Sequence, residues 1–549
     1  MTVEQVPTRV GLPVRHTRPA GVPALTVHAV RAFLRNPIAV FFTLAFPLAF
    51  LVIVSSIIGR QVTGDGIAVT QFLVAPFAVF GVAQASFTML AVDTAVMRES
   101  GVLLRLRAAP VPAWTVLAAR IGASMIVSGA VVALLATVGV LAYEVEIPWR
   151  KVPAMLVTLL LGVACCAALG LALASATRTV GAAQTLAQGL LIPLAFISDV
   201  FIVGADLPRW LAATGSVLPL KHFAQALAET FRPGEGYGFT PHHLAVLAGW
   251  AAAERGDRPP QLRLAAAGLV ASTDGHPPTR RPGPARLTMP RERRRWAPGA
   301  LLRGQIGYAL LGLRRDPLSV FFAVVFPALL LMLLPTVFGN ARVHGLPMAR
   351  YLFAGMAAYT AAVVGYVDLT EAVVGARSAG VLKRLRGTPL PFRWYVAGRV
   401  CATLITVLLA CAVLAAVGIG FLGVSVAAGG VPALLLALGA GSLCFSALGL
   451  ALAALMPSAR SLIAVTLGTL LPLCFISEVF VVGDQPLPGP LTAVADVFPL
   501  RHLLQALLAA TGSGDTGAGI AWNHLSIVAG WTVLALLVAR WRRGALAGP

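Results

Sequence analysis

Two acidic side chains that could carry a proton or bind a ligand occupy matched places in this sequence. Asp199 lies in FISDVFIVG and Glu478 in FISEVFVVG, within a chain that is 58% hydrophobic and 11% charged. A carboxylate is costly inside a membrane, so such residues usually face a cavity or the interface. Two interpretations stay open for this pair: acids wetted by water at the outer membrane interface, or acids that contact a proton or a substrate.

A second pair of matched segments carries histidine and glutamine. PLKHFAQAL contains His222 and Gln225, and PLRHLLQAL contains His502 and Gln505. A lone histidine more often has a structural role than a catalytic one, and Ser, His and Asp residues do not gather anywhere as in a hydrolase triad. The six cysteines lie in apolar segments without a CxxC pair or metal-ligand spacing. We therefore predict no catalytic residues, no cofactor-binding residues and no metal site.

A basic segment that ends in proline also occurs twice, as VLLRLRAAPVP at 102–112 and VLKRLRGTPLP at 381–391. Apolar residues at i, i+1 and i+4 predict a short helix with one apolar stripe. The stripe consists of Val102, Leu103 and Leu106 in the first copy and Val381, Leu382 and Leu385 in the second. The flanking arginines are Arg105, Arg107, Arg384 and Arg386. One copy could be a loop helix resting on lipid headgroups, whereas two copies at matched places favour a docking element.

The composition indicates an integral membrane protein. Apolar runs of about 20 residues, long enough to cross a bilayer, recur along the 549 residues. The formal net charge is +21, which in a soluble protein would suggest nucleic-acid binding. Here the basic residues cluster between apolar runs, as in loops that face anionic headgroups. We therefore expect the lipid bilayer, and not nucleic acid, as the partner of this charge.

The chain is an internal duplication. RNPIAVFFTLAFP at 35–47 returns as RDPLSVFFAVVFP at 315–327, and the matched motifs keep an offset of 279 or 280 residues. We divide the chain into a first transmembrane unit at 1–253, a basic Pro- and Arg-rich cytoplasmic linker at 254–299, and a second unit at 300–549. The predicted fold is an all-α polytopic membrane protein of two tandem six-helix units, with about 12 spans.

Positive charge orients these spans. The loop after span 2 is basic in both units and the loop after span 1 is poor in charge, which predicts that the basic loop and both chain termini are cytoplasmic. Asp93 and Asp368 lie near the cytoplasmic end of span 2 but do not align between the units. We therefore expect two independent interfacial acids and no duplicated proton relay.

Span 6 of the first unit is atypical. HLAVLAGWAAA from His243 meets ERGDRPP after about 11 apolar residues, or about 17 Å of helix against a hydrocarbon core near 30 Å. The span could run on through 254–258 with its charges turned inward, or LRLAAAGLVAS at 262–272 could complete it, or the segment could be scrambled by a compensated frameshift. The charges of the linker and the second unit favour a short, distorted span with the linker inside.

The residues that lead into the basic segment, which we call the basic helix, are similar to a known pattern. The first unit reads RESGVLLRLRAAPVP from Arg98 and the second reads RSAGVLKRLRGTPLP from Arg377. Both resemble the R-E-x-G-x-L-x-R-L-R-x-x-P helix between spans 2 and 3 of ABC-2 type transporter permeases, such as the membrane subunits of the daunorubicin-resistance group. The resemblance covers nearly the whole chain. It implies short re-entrant helices on the outer side, in the regions of His222 and His502.

The resemblance also implies that the basic helix couples to a separate ATP-binding subunit, present in two copies. The implied coupling residues are Arg98, Glu99, Leu103, Arg105, Leu106, Arg107, Arg377, Leu382, Arg384, Leu385 and Arg386. Ser378 stands where the first unit has Glu99, so we expect unequal coupling. The RNP and RDP segments before span 1 either mark the start of the membrane segment or, as the family implies, also contact the ATPase.

Together these features predict the permease of an ATP-driven exporter in a bacterial inner membrane. No G-x-x-x-x-G-K-[ST] phosphate loop occurs in the sequence, so we expect no enzyme activity in this chain and expect ATP and Mg²⁺ on the partner subunit. The family and the few ionisable residues in the spans favour an amphipathic drug, lipid or glycan as cargo. The alternative is a proton-coupled secondary multidrug transporter, which predicts acids or histidines near span midpoints.

Overall fold

The computed structural model describes residues 21–58, 67–103, 105, 112–198, 200, 209–253, 298–339, 341–388, 390–456, 462–480, 489–512 and 519–542. Sheet within these ranges is limited to one short antiparallel pair, β1 (Arg342–Val343) with β2 (Leu346–Pro347). Ten of the described helices are long and apolar enough to cross a membrane. The predicted all-α polytopic membrane fold is confirmed.

The first unit contains five of these candidate spans, α2 to α6, and several shorter helices. Its described helices are α1 (Val22–Leu34), α2 (Pro37–Ser56), α3 (Val69–Glu99), α4 (Ala113–Tyr143), α5 (Val152–Ala176), α6 (Val180–Ile197), α7 (Arg209–Val217), α8 (Pro219–Phe231) and α9 (Pro241–Ala253). Proline begins α2, α8 and α9, where its missing N–H costs no helical hydrogen bond.

The second unit repeats this order. Its described helices are α10 (Pro298–Arg314), α11 (Pro317–Thr336), α12 (Met348–Ser378), α13 (Val381–Arg386), α14 (Phe392–Leu422), α15 (Val431–Leu455), α16 (Leu462–Ile476), α17 (Gly489–Ala495), α18 (Pro499–Gly512) and α19 (Trp522–Trp541). Helices α17 and α18 meet at 87°, because Pro499 starts a new helix. This bend is the geometry expected of a re-entrant pair.

The core of each unit lies around span 2. In both α3 and α12, 89% of the most apolar window is buried. A glycine in span 4 allows close approach: a Cβ at Gly170 would lie 2.6 Å from the carbonyl oxygen of Phe87, and a Cβ at Gly449 would lie 2.5 Å from that of Gly365. Small residues at such contacts let membrane helices approach backbone to backbone. Spans 2 and 4 therefore form a fixed pair in each unit.

The two units meet through span 1 of one and span 5 of the other. A Cβ at Gly468 in α16 would lie 3.2 Å from the ring of Phe41 in α2, and a Cβ at Gly189 in α6 would lie 3.6 Å from the ring of Phe321 in α11. The same contact thus occurs twice with the roles of the units exchanged, as at a twofold interface. The two units face each other as the subunits of a dimer do.

Helix α9 takes the place of the first part of α19. The indole N–H of Trp250 donates to the carbonyl of Val217 at 3.1 Å, and that of Trp531 donates to Val497 at 2.8 Å. The described part of α9 has 13 residues, against 20 in α19. The predicted linker lies outside the described residues up to position 297, so its side of the membrane stays a prediction.

Candidate functional site

Span 2 of both units ends in the same glycine turn. We call the end of the molecule that carries these turns, with Arg105 and Arg384 beside them, the basic end. Gly101 and Gly380 each have a φ of +69°, a left-handed conformation that glycine adopts without a Cβ clash. In the second unit the chain then enters the short helix α13. In the first unit it is helical at the equivalent residues Val102, Leu103 and Arg105. The glycine of the motif thus sets the angle at which the basic helix leaves span 2.

The motif arginine at the end of span 2 ties that span to span 4. Nη1 of Arg98 donates to the carbonyl of Ala174 at 2.8 Å, and Nη1 of Arg377 donates to the carbonyl of Ala453 at 3.0 Å. Nη2 of Arg377 also donates to the carbonyl of Met456. These carbonyls lie in the last turns of α5 and α15, where a cation is favoured by the helix dipole. Both arginines therefore bind within their own unit, and a contact with a partner remains a prediction.

Glu99 and Ser378 occupy matched positions but bind differently. Oε1 of Glu99 accepts a hydrogen bond from the backbone N–H of Val180 at 2.7 Å, at the start of α6. A carboxylate there satisfies an unpaired helix N–H group and the positive end of the helix dipole. The Ser378 hydroxyl donates to Gly375 in its own helix at 3.0 Å. The link from span 2 to span 5 is thus made by a side chain that only the first unit has.

The apolar stripe of the second basic helix is covered by the chain itself. Leu382 is 2% exposed and belongs to a cluster with Tyr395 of α14 and with Ala535 and Ala539 of α19, against which Leu385 also packs. In the first unit Leu103 is half-buried, whereas Leu106 and Arg107 lie outside the described residues. The side chain of Arg386 also lies outside them. The stripe of α13 is therefore an internal contact, so a direct contact of Leu382 with a partner is not available in this conformation.

Cationic side chains occupy the open face of the basic helices. Arg105, Lys383 and Arg384 are all exposed. Arg105 donates to the carbonyl of Ser100 at 3.0 Å, and Arg384 makes the same contact with Ala379 at 3.2 Å. The glycine turn, the buried stripe and these bonds hold the cations on the surface in a repeated arrangement. This face can receive an acidic surface of another protein or lipid headgroups.

Glu478 lies at the opposite end, in an ion-pair network. Its carboxylate is 3.4 Å from Nε2 of His344 and 3.6 Å from Nη2 of Arg501, and Arg501 also pairs with Asp496 at 3.0 Å. The network joins the end of span 5 to β1–β2 and to α18. This contact accounts for an acid in an apolar segment, and a proton or substrate role remains a prediction. Its sequence counterpart Asp199 lies outside the described residues.

The matched histidines have matched structural contacts. Nε2 of His222 is 2.7 Å from the carbonyl oxygen of Ser216, and Nε2 of His502 is 2.9 Å from that of Asp496. Both rings are buried and hold α8 or α18 to the end of the preceding helix. The two glutamines on the same helices are half-buried, at Gln225 and Gln505. The repeat of this hydrogen bond favours the structural interpretation of the histidines.

Sequence reasoning missed an acidic cavity near the basic end of the second unit. The cavity has a volume of about 240 Å³ and is lined by Asp316, Asp368, Glu371 and Arg399 together with apolar side chains. The Ser319 hydroxyl is 3.0 Å from Oδ2 of Asp316 and 3.2 Å from Oδ1 of Asp368, and its one proton serves one carboxylate at a time. Oδ2 of Asp368 is buried and has no hydrogen-bond partner. This cavity can accept a proton or a cationic group.

The first unit closes the equivalent region. Asp93 pairs with Arg120 of span 3 at 3.2 Å, and the cavity there is only about 40 Å³. Arg120 is the counterpart of Arg399 in the repeat. Arg120 pairs with an acid of span 2, whereas Arg399 lines the cavity. Asp93 and Asp368 have different partners, as expected for unaligned acids, but Asp368 lines a cavity and is more than an interfacial acid. No local motif signalled the cavity, because its residues come from α10 and from spans 1, 2 and 3.

Comparison with known proteins agrees with this architecture. The family model described as "ABC-2 type transporter" matches residues 22–231 and 306–511, one match in each unit. No curated protein matches the chain. The two matches cover more than half of the sequence and include the span 2 turn and basic helix of both units. The chain therefore belongs to the ABC-2 type transporter family, as a multi-pass transport protein that carries the family's membrane unit twice.

Proposed function

We propose that this chain is the complete permease of an ATP-driven exporter in a bacterial inner membrane, with both termini and the basic end in the cytoplasm. The observation that carries the proposal is the repeated basic face, Arg105 in one unit and Lys383 with Arg384 in the other. Two equivalent faces suit two copies of an ATP-binding subunit. ATP and Mg²⁺ then belong to that subunit, and this chain supplies the pathway.

The contacts behind the basic face suggest how movement passes to the spans. Leu382 is buried in one cluster with Tyr395 of α14 and Ala535 of α19, so we expect a displacement of α13 to reach spans 3 and 6. Arg377 ties the same turn to α15. Rigid, closely packed contacts transmit displacement because they do not compress. In the first unit, the bond from Glu99 to Val180 adds span 5 to the elements that move.

We place the cargo pathway between the two units. Spans 1 and 5 of the two units contact each other through phenylalanine rings over glycines, at Phe41 and Gly468 and at Phe321 and Gly189. Such contacts are apolar and can separate without breaking hydrogen bonds or ion pairs. This lining suits an amphipathic drug or lipid better than a free ion. The expected direction of transport is out of the cytoplasm or the inner leaflet.

Purification from the native host tests the proposal. We expect the chain to co-purify with a protein that carries a phosphate-binding loop, and the complex to hydrolyse ATP. The double variant Lys383→Glu and Arg384→Glu should reduce both, because charge reversal at one of the two faces repels an acidic docking surface there. Arg209→Glu, an exposed charge reversal at the opposite end, is the matched control and should retain both. Full ATPase recovery with the double variant contradicts docking at this face.

The acidic cavity favours a second candidate, a proton-coupled transporter. The unpaired Oδ2 of Asp368 beside Glu371 in span 2 could bind and release protons. The two functions differ in their energy source. Transport that persists when a protonophore collapses the proton gradient while ATP is maintained supports the exporter, and transport that stops under those conditions supports the alternative.

A further inference from the structure

We infer that the first unit binds a zinc ion through His222, His242 and His243, at the end of the molecule opposite the basic end. The ligand nitrogens of these three histidines all lie within 4.8 Å of one another. In the described ranges, this is the one group of His, Cys, Asp or Glu side chains with such spacing. The ligands come from α8 and from the first turn of α9. The prediction of no metal site considered His222 alone, without its neighbours in space.

The hydrogen bonds prepare His222 as a ligand. Its Nε2 is 2.7 Å from the carbonyl oxygen of Ser216, which can only accept, so Nε2 carries the proton and Nδ1 presents a lone pair. Metal-binding histidines generally donate their second ring N–H to a carbonyl or a carboxylate in this way. His222 is buried, so this orientation is held. Its Nδ1 faces Nδ1 of His243 at 2.8 Å.

The separation of these two nitrogens is close to that of ligands on one ion. Tetrahedral Zn²⁺ with bonds of about 2.0–2.1 Å holds its nitrogen ligands about 3.3 Å apart. A small opening of the 2.8 Å contact between His222 and His243 therefore admits the ion. Nδ1 of His243 binds it in the tautomer whose proton is on Nε2. His242 is exposed and adds a third nitrogen from the solvent side. Three imidazoles favour Zn²⁺ over Mg²⁺ or Ca²⁺, which prefer oxygen ligands.

The second unit has the same histidine pair without the third ligand. Nδ1 of His502 is 2.9 Å from Nδ1 of His524, and Nε2 of His502 bonds to Asp496. Asn523 stands where the first unit has His242, since both precede the histidine of the pair. The pair is therefore common to both units and serves the fold. His242 is the addition that turns the pair in the first unit into a metal site.

The proposed ion would hold α9 in place. The equivalent helix α19 is anchored further along its length by Ala535 and Ala539, which are buried in one cluster with Ala447 and Ala451 of α15. The described part of α9 ends at Ala253, before the positions that match these alanines. A bond from the first turn of α9 to α8 through zinc supplies an attachment at the other end. The site is thus structural, and its effect should appear as stability.

Zinc titration of the purified full-length chain tests the inference. The protein carries a tag without histidine, is freed of metal with a chelator, and has Cys401, the half-buried cysteine, replaced by serine throughout. We expect one Zn²⁺ per chain by calorimetry and a higher melting temperature with ZnCl₂ than with MgCl₂. His242→Asn, which copies the second unit, should weaken binding by at least about tenfold, since one of three ligands is lost.

The reciprocal variant gives the matched control. Asn523→His should add a second Zn²⁺ per chain, because His502 and His524 already hold the other two nitrogens in the same arrangement. Both substitutions are at exposed positions, so folding should not change. Zinc affinity unchanged by His242→Asn overturns the inference, as does a single Zn²⁺ in the Asn523→His protein.

Discussion

Replacing Arg377 by lysine is expected to destabilise the protein more than the same change at Arg98. Arg377 donates to two carbonyls at the end of α15, those of Ala453 and Met456. Arg98 donates from Nη1 to the carbonyl of Ala174, while its Nη2 is buried with no partner. A lysine ammonium can reach one carbonyl but cannot reproduce the two-armed geometry of a guanidinium.

The size of the effect follows from the bonds lost. A hydrogen bond from a charged group contributes about 1.5–3 kcal/mol to stability, and a cation at a helix C-terminus adds about 0.3–1 kcal/mol. We therefore expect Arg377→Ala to cost about 3 kcal/mol and Arg98→Ala about 2 kcal/mol. Lysine should recover most of the loss at position 98, where it also removes an unpaired donor, and only about half of it at position 377.

The apparent free energy of unfolding, from SDS titration of each detergent-solubilised variant followed by circular dichroism, measures this difference. ATPase activity of the complex with its partner is measured in parallel. Lysine tolerated better at Arg377 than at Arg98 would refute the hydrogen-bond argument. Alanine variants that unfold like the wild type yet lose ATP-driven transport would show instead that these arginines contact the ATP-binding subunit directly.

Three further predictions concern burial, close approach and topology. Leu382→Asp should cost about 3 kcal/mol or more because it buries an unpaired charge, whereas Leu103→Asp at a half-buried position should cost less; melting temperatures compare the two. Gly170→Ala should cost about 1–3 kcal/mol through its backbone clash, and Gly129→Ala, with no atom within 4 Å of the new Cβ, should raise stability by about 0.5–1 kcal/mol. A cysteine at Ser272 should be protected from membrane-impermeant thiol reagents outside intact cells, and ready labelling there would contradict an internal linker.

The membrane class, the duplication and most of the spans could be predicted from the sequence. Hydropathy and run length depend only on neighbouring residues. The apolar runs near 114–142 and 393–422 therefore predict spans where the structure has α4 and α14. The repeat also pairs Gly101 with Gly380, and both adopt the same left-handed turn in the structure. These features are properties of one stretch of chain at a time.

The partners of individual side chains were decided by the tertiary structure. A short amphipathic helix has the same apolar stripe whether that stripe meets a partner or its own bundle. In α13, Leu382 is buried in a cluster that includes residues of α14 and α19. Asp316 precedes span 1 and Asp368 lies in span 2, so no spacing in the sequence relates these two acids of the cavity. His242 is notable only because α8 brings His222 beside it. Sequence determined which segments enter the membrane, since transfer into lipid acts on each segment alone; the fold determined which polar groups meet, since that requires helices far apart in the chain to pack side by side.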